Sequence, residues 1–145
     1  MENCVYGGIN DVGIVLAQSA GNCNADAYAY RENRASPSFV MGAAEWVFGR
    51  LYRAGYSNFR ATVDLFAPEL VYAAAIASNS AYQTDMHGTS AATPFVAGAA
   101  AQILEAYPYL TPSEVDYWIK ANSFSGILNG SGLGAGSPNL FLSRW

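Results

Sequence analysis

The chain has 145 residues, enough for one domain with a real core. It is 52% hydrophobic and 14% aromatic but only 12% charged, about half the charge of an ordinary soluble domain. A net charge of −4 with 7 scattered basic residues argues against a nucleic-acid partner, and no apolar stretch approaches the roughly 18 residues that cross a bilayer. So little charge on so small a domain implies that part of its apolar surface faces something else. Met1-Glu2-Asn3-Cys4 shows neither a basic start nor an apolar core, so no signal peptide is visible. Either the protein stays in the cytoplasm or its true start lies upstream. Cys4 and Cys23 lack metal-type spacing, and one histidine makes no His/Cys cluster. One disulfide, pairing outside the chain and two unpaired thiols all remain open.

The first predicted element is the apolar run at residues 12–17, short and β-branched, as in a strand buried on both faces. Ser19-Ala20-Gly21-Asn22 ends it, and the polar stretch 23–36 reads as loop. Residues 39–46 and 61–66 are two further short strands, the second closed by Ala67-Pro68, with loop between 49 and 59. Residues 90–107 then carry no charge before Glu105, the mark of a buried helix whose small side chains allow close packing. Thr111-Pro112-Ser113-Glu114 is a capping box with proline at the first helical position, opening an amphipathic helix to about residue 121. The glycine-rich tail is mostly loop. Buried strand, buried helix and covering helix together give an α/β layered fold.

Chemistry concentrates in Gly88-Thr89-Ser90-Ala91-Ala92-Thr93-Pro94-Phe95-Val96-Ala97-Gly98. A serine that opens a buried helix sits among unpaired backbone N–H groups, and the helix dipole favours a developing oxyanion there. Pro94 cannot donate to the carbonyl of Ser90, which holds the first turn slightly open, and Ala91 and Ala92 leave room beside the nucleophile. Spacing alone does not separate this from a plain N-cap. The pattern Gly-Thr-Ser-x-Ala-x-Pro-x-Val-Ala-Gly, however, resembles the catalytic-serine signature of the subtilisin-like serine proteases, with every fixed position matched.

Other segments resemble the same family in the same order, over about residues 5–143. Ala20-Gly21-Asn22 is similar to its oxyanion segment, Val63-Asp64-Leu65-Phe66-Ala67-Pro68 to the strand before the serine, and Gly136-Ser137-Pro138-Asn139-Leu140 to the close of its proteinase K-like branch. The resemblance implies a parallel-sheet subtilisin-like α/β fold, present as the C-terminal half of one peptidase domain over residues 1–145. It implies Ser90 as nucleophile, Asn22 as oxyanion donor, and Ser19, Ala20 and Gly21 as one wall of the specificity pocket. A carboxamide suits the oxyanion because it donates without a charge that would bind the ground state equally well. No cofactor is needed for the chemistry. A structural calcium, held by Asp64 and carbonyls near Pro37, is a further implication, set against Asp64 as a plain solvated or strand-capping carboxylate.

The family's aspartate and histidine both precede the oxyanion segment, and nothing before Val12 supplies them. The missing N-terminal half is therefore an expected partner, beside a peptide or protein substrate. His87, three residues before Ser90, reads as a partly exposed loop residue rather than a substitute base. Glu69, where the family commonly has glycine, is a departure. Two functions stand: a fragment of a serine endopeptidase, extracellular by family resemblance, or a pseudoprotease that keeps the fold without the reaction. An α/β-hydrolase elbow, Gly-x-Ser-x-Gly, fails at Ala92.

Overall fold

The computed structural model describes residues 13–34 and 38–143, except the side chain of residue 84. Among the described residues, eight strands, two α-helices and two 3₁₀ turns follow one another in the order expected of a layered α/β chain. β1 (Ala17–Ser19), β2 (Phe39–Val47) and β4 (Leu65–Pro68) are parallel, and β8 (Leu140–Phe141) continues the sheet parallel to β4. β3 (Arg50–Arg53) and β7 (Phe124–Ser125) join antiparallel, to β2 and β8. β5 (Leu70–Ala74) and β6 (Tyr82–His87) form a separate antiparallel hairpin.

β2 is apolar on both faces because both are covered. Phe39, Met41 and Ala43 face one core, shared with Leu65, Ala67 and the helices; Val40 and Ala44 face another, with Phe66, Val63, Leu51 and Leu128. Gly42 lies under the Phe66 ring, where a Cβ would come within 2.4 Å of the ring carbons. α1 (Thr89–Ala106) crosses the first face through Ala92, Val96, Ala99, Ala100 and Ile103. α2 (Pro112–Asn122) adds Val115 and Ile119. Its capping box forms as predicted, with Thr111 N donating to Glu114 Oε2 at 2.7 Å and Glu114 N donating to Thr111 Oγ1 at 3.3 Å.

Three boundaries differ from the sequence reading, each for a pairing reason. The first strand is regular only over Ala17–Ser19, because its partner β2 begins alongside at Phe39, whose N–H donates to Leu16 O; Val12 lies outside the described residues. The strand expected at 61–66 starts at Leu65, since Val63 N bonds back to Arg60 O in a turn. The loop expected at 49–59 contains β3, which returns along β2 through Phe48-Gly49. Both turn residues have positive φ, 48° and 76°, as a tight two-residue hairpin requires, but the usual Asn-Gly or Asp-Gly signal is absent.

Candidate active site

α1 begins at the sheet end where β1 and its following loop arrive. Gly88 is its N-cap with φ of 120°, and a Cβ there would stand 2.9 Å from Asn22 Nδ2, so only glycine allows the approach. Ser90, the second residue of the helix, is exposed, and its N–H has no acceptor within the helix. Between them, Thr89 is buried and engaged. Its backbone N–H donates to Asn22 Oδ1 at 3.0 Å and its hydroxyl to the same oxygen at 2.8 Å, while Gly21 N donates to Thr89 Oγ1 at 3.2 Å.

Those bonds orient the carboxamide. A backbone N–H is an unambiguous donor, so the Asn22 atom facing Thr89 is the oxygen, and the amide nitrogen points to the Gly88 side. Among the described residues nothing accepts a hydrogen bond from Nδ2. The carboxamide N–H₂ and the Ser90 N–H, neither with an acceptor among the described residues, thus lie at the positive end of an 18-residue helix whose second residue carries an exposed hydroxyl. Donors of this kind suit a developing negative charge, and none of them carries a formal charge.

The loop carrying Asn22 is held by two buried asparagines that the sequence reading missed. Asn58 Oδ1 accepts from Cys23 N at 3.1 Å and Ala25 N at 3.0 Å, and its Nδ2 donates to Ala20 O at 2.8 Å. Asn33 Nδ2 donates to Ala20 O and Ala27 O, and Gln18 Nε2 donates to Asn33 Oδ1. Gly21, with φ of 99°, passes so close to Asn58 that a Cβ would lie 2.5 Å from its Nδ2. A Ser-Asn pair in an apparent loop gave no signal for this role. Thr89 was visible as part of the motif but not as the clamp on Asn22.

Ser19, Ala20 and Gly21 run along an open cavity of about 420 Å³, with Tyr30 and Glu32 also on its lining. Ala91 and Ala92, expected to leave room beside the serine, are fully buried, and Ala92 packs in the core between α1 and the sheet. Cys23 is exposed and unpaired among the described residues, and Cys4 lies outside them. Hydrogen bonding to Cys23 and burial push the Tyr30 hydroxyl pKa above its ordinary value.

His87 closes β6 with its ring half exposed, and its Nδ1 lies 3.9 Å from Glu69 Oε1. Glu69 also accepts the Tyr56 hydroxyl. Burial first, and then that carboxylate, push the Tyr56 pKa well up. The histidine is thus part of a side-chain cluster at the foot of the hairpin.

Asp64 is partly exposed but not free, and its bond to the start of β2 fits the strand-capping alternative. Its Oδ2 accepts Val40 N at 2.7 Å and its Oδ1 accepts Lys120 Nζ at 2.6 Å; Lys120 also bonds Asp116 at 3.0 Å. An ammonium at that distance does not fit a divalent cation on the same oxygen, and Pro37 lies outside the described residues. Among the described residues no group of three or more metal-binding side chains gathers.

Comparison with known proteins agrees with this fold. The family model described as "Subtilase family" matches residues 3–137. An extracellular serine proteinase of Thermus sp. (strain Rt41A) is 35% identical over 142 residues, covering 98% of this chain and 33% of the relative. Alkaline protease 1 of Aspergillus flavus is 33% identical over 129 residues, 88% of this chain and 30% of the relative. The crystal structure of a cold-adapted subtilisin-like serine proteinase superposes with a TM-score of 0.85 at 28% identity, over 99% of this chain and 50% of that one. The chain thus spans about a third of the length of these curated relatives and half of that solved chain.

Proposed function

The chain belongs to the subtilase family, and from that premise we propose that it is the C-terminal half of the catalytic domain of an extracellular serine endopeptidase, with Ser90 as nucleophile and Asn22 as oxyanion donor. The observation that carries the reading is the Thr89 clamp, which turns the Asn22 amide nitrogen toward the foot of the serine helix. Secretion rests on relatives named as extracellular or alkaline proteases.

The chemistry follows from the placement. A peptide or protein substrate lies along the cavity walled by Ser19, Ala20 and Gly21 and presents its scissile carbonyl to Ser90. The hydroxyl oxygen attacks the carbonyl carbon while its proton passes to a histidine of the preceding half of the domain, oriented by an aspartate from the same half. The carbonyl oxygen becomes an oxyanion and accepts from Asn22 Nδ2 and Ser90 N–H, donors already aimed at it, so little reorganisation is needed. Collapse expels the amine with the histidine's proton, and water repeats the sequence on the Ser90 ester. No metal takes part in these steps.

A second reading, an inactive protein that keeps the fold, draws on His87: it is the sole histidine of the chain and is set against Glu69. One experiment separates the two. The chain is expressed alone and joined to a subtilase N-terminal half bearing the aspartate and histidine, and both are assayed with a chromogenic tetrapeptide and a fluorophosphonate label. We expect turnover and Ser90 labelling only in the joined protein, both lost in Ser90→Ala. A joined, folded protein that neither labels nor turns over establishes the inactive reading.

A further inference from the structure

Asp64 is the one charged group with which the sequence resemblance associates a metal, and it is also the acceptor of the shortest side-chain ion pair on α2. Lys120 reaches it from the last turn of α2, where the helix dipole already favours a cation. The ammonium lies 2.6 Å from Asp64 Oδ1 and 3.0 Å from Asp116, and 5.1 Å from the centroid of the Phe39 ring. Those partners belong to three separate pieces of chain: the turn before β4, α2 itself and the start of β2. The group bridges them as a bound cation would. Asp64 also accepts the Val40 N–H, which fixes the carboxylate against the sheet.

We propose that the Lys120 ammonium is a built-in substitute for calcium at Asp64, so that this chain is held together there without a metal and takes one up only when the lysine is removed. Chemically the two cations want the same thing, hard carboxylate oxygens, but calcium needs six to eight oxygen ligands and an ammonium needs three acceptors. Asp64 and Asp116 supply the carboxylates, and a cavity of about 250 Å³ lies over them, bounded by Val15, Phe39 and Pro112. Asp116 Oδ1 is buried and faces the ammonium at 3.0 Å without a directed hydrogen bond, so losing the lysine leaves that oxygen with no cation beside it. This inference is independent of whether Ser90 is catalytic.

Thermal melting of the full chain, with millimolar calcium and with a chelator, tests it, together with terbium luminescence as a direct probe of binding. The unmodified chain is expected to melt at the same temperature in both and to show no saturable terbium signal. Lys120→Met is expected to melt about 5 °C lower in chelator, to recover with calcium and to bind terbium, and Asp64→Asn on that background is expected to abolish both responses. A calcium-dependent melt or saturable terbium binding in the unmodified chain, lost in Asp64→Asn, overturns the proposal. So does a Lys120→Met chain indifferent to both ions. If Lys120→Met does not fold, the unmodified chain's terbium titration decides alone.

Discussion

Two regions flank Ser90, and they are held in opposite ways. The Asn22 corner, residues 20–25 with Asn58 and Thr89, reaches the serine only through space, yet is fastened by at least five side-chain hydrogen bonds to buried or backbone groups. The β5–β6 hairpin runs directly into Gly88 along the chain. It nevertheless exposes Tyr72, Ile76 and Tyr82 at 73%, 106% and 70%, and its strand register slips between Val71 and Ala73. Position in sequence therefore says little about what fixes a reacting group. Satisfied, desolvated hydrogen bonds do the fixing, because leaving any of their partners unpaired costs far more than a solvent-facing contact returns.

The difference is open to direct test in the joined, active protein. Asn22→Leu, which keeps the volume and removes the donor, should lower kcat by about 10²–10³-fold, the range known for loss of such a donor from a subtilisin, with KM little changed; peptide kinetics check it. An unchanged kcat would remove Asn22 from the oxyanion site. Asn58→Ala leaves two backbone N–H groups of the corner unpaired, removes one of the two donors to Ala20 O, and should cost about 3 kcal/mol of stability by chemical denaturation. Its activity should fall at temperatures where the fold is still intact. At the other extreme, Tyr72→Ser with Ile76→Ser on the hairpin should change stability by within about 0.5 kcal/mol and leave kcat as it was. A larger loss would show that the hairpin holds the site after all.

The same contrast explains what could be read early. The helix at 112–121 was legible to its hydrogen bonds, since a capping box is local: Thr111 and Glu114 satisfy each other within one turn. β2 was legible because its first six residues, Phe39 to Ala44, are buried on both faces and carry no polar side chain. β3 was not, because its hairpin turns on Phe48-Gly49, and a phenylalanine at positive φ is no signal. Nor was the hairpin β5–β6 foreseen, since nothing in its exposed, mixed composition marks it as strand. The outward side of α1, with Pro94, Phe95, Ala97 and Gly98 accessible among the described residues, fits the low charge noted at the start: apolar surface is present that these residues do not cover.

What the sequence by itself determined was every feature that rests on a few neighbouring residues: Ser90 at a helix start, glycine at position 88, the capped second helix and the family those motifs signal. What only the tertiary structure decided was which polar group meets which. Asn22 receives Thr89 from 67 residues away, Asn58 secures Cys23 across 35, and Asp64 meets a lysine 56 residues on. Such pairings leave no periodicity and no fixed spacing, because a hydrogen bond depends on distance in space and direction, and the fold alone sets both.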